Sequence, residues 1–306
     1  MNPTQTWIVV SDDRVGGLIA AARGLGEVTA LVVGTRDLAE SVAAAGVDRA
    51  QWLGEPPEGT PVEAYAPEVA RVVAEAAPGA VLGTAEGAGR VLLGAIAARL
   101  QAPVLSGVIE LRFEGDGVGV SRSVCGGIAE RSDVVTGTAV VALPGGDAVA
   151  AAGPAVRVEE VPASPLTTGT LTGLRRKEKA PVNLSAAKTV VAVGRGLKAQ
   201  ADLALITELA AAVDGELACS RPLAEGVDWV AKERNIGISG QQISPELYFA
   251  IGISGQLQHM VGVRDAGVIV AVNSDKNALV FKQCDYGIVG DLYAVVPALT
   301  AALARP

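Results

Sequence analysis

Short apolar runs alternate with amphipathic stretches through most of this chain, and the alternation restarts once. In the first half, apolar β-rich runs at 7–11, 28–34, 50–53 and 80–83 read as strands. The stretches at 18–25, 38–45, 62–76 and 89–100 carry apolar residues at helical spacing. Strand and helix in turn predict a parallel sheet covered by helices. From 108 to 141 the pattern becomes β-rich and broken by glycine, as in GDGVGV and CGGIAE, which predicts hairpins added to that sheet. The zone from Pro144 to about Lys188 is rich in Pro, Gly, Ser and Thr and holds the charge run Arg175, Arg176, Lys177, Glu178, Lys179. The run reads as a solvated linker, with a docking patch as the alternative. The second half repeats the α/β pattern. Strands are expected at 188–193, 216–219, 247–253, 268–272 and 286–289, and helices at 201–213, from 256 to 263 and at 292–303. The fold class is therefore α/β, with two domains that each hold a mainly parallel sheet flanked by helices.

Composition narrows the function classes. Of 306 residues, half are hydrophobic but only 3% are aromatic, so the core must be built from Ala, Val, Leu and Ile. A net charge of −8 argues against nucleic acid as a partner. No apolar run is long enough to span a bilayer, and residues 1–13 lack the features of a secretory signal, so membrane insertion is not expected. Cys125, Cys219 and Cys284 are widely spaced and odd in number; they read as small core residues in a reducing cytoplasm. With a single histidine and no clustered thiols, a metal site is not expected.

Glycine-rich or polar segments follow nearly every strand of the second half. In open α/β sheets, ligands sit at those carboxyl ends. The peptide Gly-Ile-Ser-Gly-Gln occurs twice, at 237–241 and 252–256, and His259 follows the second copy within a helical turn. The second copy leads into the expected helix, so its backbone N–H groups would face an anion such as a pyrophosphate. Arg195, Ser220 and Arg221 fall at two other strand ends, where a guanidinium can meet a phosphate or the edge of a ring. Asn273 and Asp291 could bind a ribose or adenine, and His259 could donate to a carbonyl that becomes negative on reduction. Each feature has a plain structural reading: strand-end glycines are common, and Arg195 could simply cap a strand. The segment GTAEGAGR at 83–90 has no dinucleotide fingerprint and reads as structural. Serine-nucleophile chemistry is disfavoured, because neither repeat has the G-x-S-x-G spacing.

These segments resemble the electron transfer flavoprotein alpha-subunit family. LYFAIGISGQLQH at 247–259 is similar to its signature. GRGLK at 194–198, Ser220-Arg221, AVNSD at 271–275 and DYGIVGDLYAVVPALT at 285–300 resemble further motifs in the same order. The resemblance covers the second domain and extends more weakly over the first. It implies a domain at 1–160 that pairs with a beta subunit, a linker at 161–187 and an FAD-binding domain at 188–306. It implies FAD lined by Arg195, Ser220, Arg221, Ile236, Gly237, Ile238, Ser239, Ser254, Gly255, Gln256, Leu257, Gln258, His259, Asn273, Asp291 and Leu292. The arginine matching Arg221 would lie over the flavin ring, the histidine matching His259 would face the flavin O2, and the hydroxyl of Ser239 would be near N5. The implied role is a heterodimeric cytoplasmic electron carrier between a flavoprotein dehydrogenase and a quinone reductase or other acceptor. The alternatives are an NAD(P)-binding subunit of an oxidoreductase and a nucleotide-binding structural subunit. Ile238-Ser239 stands where many members have Gln-Thr, and Ser274 where many have lysine. With SRPLAEG at 220–226 this is similar to the FixB-type branch.

Overall fold

The computed structural model describes residues 2–167, 169–173 and 184–303. The chain divides into two compact units, Met1–Arg175 and Arg176–Pro306. The charge run at 175–179 lies outside the described residues.

In the first unit, strands β1 (Asn2–Val10), β2 (Glu27–Val32), β3 (Arg49–Trp52), β4 (Pro78–Thr84) and β5 (Val104–Leu105) join two later strands, β9 (Ala139–Leu143) and β10 (Val158–Glu160). They form a parallel sheet in the order β10-β3-β2-β1-β4-β9-β5. Successive residues of β1 face opposite sides. Ile8 and Val10 pack with helices α1 (Gly16–Arg23) and α2 (Arg36–Ala43), while Trp7 and Val9 pack with α3 (Ala66–Ala76) and α4 (Gly87–Leu100). Both faces are covered, so the strands read as continuous apolar runs rather than alternating ones. The hairpins expected to extend this sheet do not. β6 (Val108–Glu114), β7 (Gly117–Val124) and β8 (Ala129–Thr136) make a separate antiparallel sheet in the order β6-β7-β8. Val118 and Val120 of β7 seat it on the α1/α2 face of the core. The segment after β10 follows the first unit: Val161, Leu166 and Leu171 donate backbone hydrogen bonds to Trp52, Ala64 and Gly59.

The strand order reverses between β1 and β4, the position where an open α/β sheet usually leaves a binding crevice. Here the chain fills it. The loop after β9 crosses the exits of β1 and β4, with Gly17 N–H donating to Gly145 O at 2.9 Å and Gly16 N–H to Asp147 O at 3.1 Å. A Cβ on Gly145 would stand 2.1 Å from the Arg14 carbonyl oxygen. The neighbouring hollow is rimmed by Asp12, Asp13 and Glu55, an acidic setting ill-suited to a phosphate. Glycines in the 83–90 segment serve packing, since a Cβ on Gly89 would fall 2.0 Å from Thr84 Oγ1.

The second unit has β11 (Thr189–Val193), β12 (Glu216–Ser220), β13 (Asn235–Ile236), β14 (Leu247–Ile251), β15 (Val268–Asn273) and β16 (Tyr286–Val289). All pair in parallel, in the order β13-β12-β11-β14-β15-β16. Helices α5 (Leu203–Ala212) and α7 (Leu292–Leu303) cover one face through Ile206, Leu209 and Val296. The other face buries Val190, Tyr248, Ile236 and Met260. The helix expected from 256 to 263 is shorter than its pattern suggests: α6 (Leu257–Met260) is one turn, continued by a 3-10 turn at Val261–Val263. Gly262 packs on Gly237 there, and a Cβ at position 262 would lie 2.5 Å from Gly237 N. Of the cysteines expected in the core, Cys219 is buried, Cys284 partly so, and Cys125 is exposed in a turn with φ 54°.

Gly145→Ala tests the filled crevice. It should lower the stability of the first unit by about 1–3 kcal/mol and leave ligand binding by the second unit intact. Urea unfolding followed by pulse proteolysis would check this; an unchanged midpoint would mean the loop yields without cost.

Candidate functional site

Strand order in the second unit reverses between β11 and β14, and at this reversal the crevice is open. A cleft of about 420 Å³ lies across the exits of β11 to β15. It is lined by Arg195 after β11, Ser220 closing β12 and Arg221 after it, Ile236 closing β13 and Gly237 to Ser239 after it, Ile253 and Ser254 after β14, and Asn273 closing β15. Its size falls in the usual range for small-ligand sites.

Glycines allow the two central loops to meet. Gly196 N–H donates to Gly252 O at 3.1 Å, and a Cβ on Gly196 would stand 2.7 Å from the Gly252 Cα. Gly252 itself has φ +61°, a backbone that side chains rarely adopt. Leu292 is buried beneath, its Cδ2 about as close to both positions as a Cβ contact allows. Asn273 ties the second loop to β15: its Nδ2 donates to Ile253 O at 2.9 Å and its Oδ1 accepts from Asp275 N–H at 3.0 Å. Tyr293 holds the first loop, because its hydroxyl donates to Asp202 and accepts from Lys198 N–H at 2.8 Å.

Several polar groups around this cleft have no partner among the described residues. Among the described residues, the backbone N–H groups of Ser254, Gly255 and Gln256 meet no acceptor, and the hydroxyls of Ser220, Ser239 and Ser254 make no hydrogen bond. Arg195 forms no ion pair there, whereas Arg221 Nε lies 2.6 Å from Glu225 Oε2. That pair forms because a π-helical turn at Pro222–Gly226 places the carboxylate one turn after Arg221. Both side chains keep substantial exposure, so the pair is a weak tether rather than a lock. α6 is too short for a strong helix dipole, so the attraction for an anion rests on the unpaired N–H groups and Arg195.

His259 closes the inner wall. It is 8% exposed, and its Nε2 is 2.7 Å from the Tyr248 hydroxyl. Its Nδ1 is buried with no hydrogen-bond partner among the described residues. Burial lowers its pKa to about 4, opposed in part by the Ile236 backbone, so the imidazole is neutral at pH 7. A neutral ring donates through one nitrogen only.

Twelve of the sixteen residues expected at the site line the cleft. Four do not. Gly255 is turned under the loop with φ +78° and no room for a side chain against Val280. Leu257 is exposed, Asp291 caps α7 by accepting from Tyr293 N–H, and Leu292 supports the glycines from below. The expectation omitted Gly194, Gly196, Pro222, Gly252 and Ile253, which line the cleft, and Tyr248, which reaches His259 from the core. The one sign of Tyr248 in the sequence is a hydroxyl inside an otherwise apolar strand.

The chain matches the family described as "Electron transfer flavoprotein FAD-binding domain" over residues 183–264, and "Electron transfer flavoprotein domain" over 17–166. It is 37% identical to the Protein FixB of Salmonella typhimurium over 314 aligned residues that take in all of both chains. It is also 37% identical to that of Shigella flexneri over 311, covering 99% of each. The chain belongs to the electron transfer flavoprotein alpha-subunit family. The cofactor of that FAD-binding domain is FAD, and alpha subunits of this family pair with a beta subunit and transfer electrons. The unpaired N–H groups, the unpartnered Arg195 and the orphaned His259 Nδ1 suit a ligand with a pyrophosphate at one end and ring acceptors at the other. No described helix of this alpha subunit is long and apolar enough to cross a membrane.

The buried imidazole gives a pH signature. An unfolded histidine binds its proton near pH 6.5 and the folded one near 4, so the unfolded state carries more protons between those values. Stability should be full above 6.5 and fall as pH drops toward 4, by about 2 kcal/mol between pH 7.5 and 5. Urea titrations of wild type and His259→Gln would check this, the variant losing that part of the pH dependence. Gly196→Ala should cost about 1–3 kcal/mol and impair ligand retention, both readable by thermal unfolding with and without added ligand.

Proposed function

We propose that this alpha subunit holds FAD across the exits of β11 to β15. Paired with a beta subunit, it takes electrons from flavoprotein dehydrogenases and hands them to a quinone reductase or another acceptor. The observation that carries the reading is the convergence of unpaired donors at one open sheet reversal, beside a single uncharged imidazole.

In this reading Arg195, the Ser254 hydroxyl and the N–H groups of Ser254 to Gln256 bind the pyrophosphate. Arg221 would meet the flavin ring, and its tether to Glu225 keeps the guanidinium at the cleft. Ser239 and His259 meet the polar edge of the ring, the histidine as a hydrogen-bond donor rather than a cation. Ser220, Ile236, Gly237, Ile238 and Gln258 shape the walls, while Asn273 fixes the second loop through its two hydrogen bonds. Gly255 and Leu292 support these loops from below, Gln256 adds to the cleft wall, and Asp291 holds the start of α7. Bound FAD supplies the electron-accepting ring; the chain binds and orients it and adjusts its surroundings. The three cysteines, none of them in a disulfide, fit a reducing bacterial cytoplasm.

The test is co-expression with a beta subunit, followed by the visible spectrum and the mass of the released ligand. FAD in the wild-type heterodimer supports the reading; a colourless heterodimer that cannot be reconstituted, or one that releases a pyridine nucleotide, overturns it. Arg195→Ala should weaken FAD about 10- to 100-fold through loss of a charged hydrogen bond, measured by flavin fluorescence on dilution.

A further inference from the structure

We infer that Tyr248 is a positioning residue that fixes the tautomer of His259, holding the ring proton on Nδ1 as the donor offered to a ligand in the cleft. The inference deepens the FAD reading and rests on it for the identity of the acceptor; the tautomer itself stands on the geometry of the chain alone.

Tyr248 lies on central strand β14, between Val190 of β11 and Ile269 of β15, and its side chain is fully buried. Among the described residues its hydroxyl has one hydrogen-bond partner, His259 Nε2 at 2.7 Å. A buried phenol must place both its proton and its oxygen, and two arrangements of the pair are possible. If Nε2 carries the ring proton, it donates to the Tyr248 oxygen. The Tyr248 proton then has no acceptor and Nδ1 is a bare, unpaired acceptor, so two buried polar positions go unmet. If Nδ1 carries the proton, the Tyr248 hydroxyl donates to bare Nε2 and satisfies itself. Only the Nδ1–H is left over. The second arrangement leaves fewer unmet groups, and each unmet buried group is costly.

The leftover group is the informative one. Nδ1 is buried without a hydrogen-bond partner, on a residue that lines the cleft. The Ile236 backbone, at the exit of β13, also raises the ring's affinity for its proton. Burial keeps the phenol protonated, so Tyr248 is available as a donor throughout the working pH range. The tilt of the two rings, 39° with centroids 6.3 Å apart, sets them edge to edge through this hydrogen bond rather than stacked. Ring orientation is thus fixed from the core side by the Tyr248 hydroxyl.

The chain has one histidine, so every imidazole signal of the full chain belongs to His259. Ring-15N-histidine labelling and two-bond proton–nitrogen correlation at pH 7 read the tautomer directly, without cofactor. The expected result is a protonated Nδ1 and a bare Nε2. A protonated Nε2, or a doubly protonated ring, would overturn the assignment. Tyr248→Phe retains the ring and its packing but removes the donor, and should shift the tautomer ratio about fivefold toward Nε2–H. An unchanged ratio would show that Ile236 alone sets the proton and would also overturn it. Reconstitution of the labelled chain with unlabelled beta subunit and FAD should move the Nδ1 resonance, and Tyr248→Phe should lower the flavin midpoint potential. If FAD binds and neither quantity changes, the donor role is wrong. If FAD does not bind at all, the cofactor reading fails while the tautomer measurement still decides the Tyr248 assignment.

Discussion

The cleft depends on one backbone-to-backbone contact, the approach of Gly196 to Gly252 at the reversal between β11 and β14. Two adjacent parallel strands whose crossovers run to opposite sides leave a crevice at their carboxyl ends. Side chains on the two exits would fill it. With none at Gly194, Gly196 and Gly252, the loops close against each other and against Leu292, and their remaining polar groups point outward. The first unit has the same kind of reversal between β1 and β4, but there the chain returns a glycine loop across it. One topology therefore yields an occupied crevice and an open one, and the difference lies in where the loop after β9 runs.

Around the open crevice the protein uses few charged groups. The chain as a whole is acidic, yet the cleft holds two guanidinium groups, one balanced by Glu225 and one unbalanced. The rest of its polarity is hydroxyl, amide and backbone N–H, plus an imidazole that burial keeps neutral. Such groups stabilise added negative charge by oriented dipoles rather than by proton exchange. This suits a subunit of a protein that transfers electrons.

Much of this was legible in the sequence, for identifiable reasons. Strands of parallel sheets buried on both faces, such as 189–193 and 247–251, are unbroken apolar runs and stand out beside polar exits. The cleft residues sit at those exits, so the strands and the motifs identify each other. What was not legible depended on contacts distant in sequence. The 108–136 strands pair among themselves because Val118 and Val120 anchor β7 on the core, which a β-rich pattern cannot reveal. The helix after the second repeat gives way to a 3-10 turn where Gly262 packs on Gly237, a contact distant in sequence. Asn273 reads in the sequence as a ligand-binding amide; that it also latches neighbouring loops through both polar atoms depends on contacts the sequence does not display. Tyr248 draws no notice in the sequence because a tyrosine in a buried strand does not announce the partner of its hydroxyl.

The repeated pentapeptide has a further consequence. Gly-Ile-Ser-Gly-Gln is held in two different backbones: the first copy has positive φ at Gly237 only, the second at both Gly252 and Gly255. An identical peptide with two shapes has neither as its own preference, so each is imposed by strand pairing and by contacts with Gln258, Gly196 and Val280. These loops therefore take their shapes only within the assembled sheet of β11, β12 and β14. A ligand that spans them recognises only the finished domain and draws the folding equilibrium toward it by mass action. Cofactor supply and the lifetime of the native chain are thereby linked.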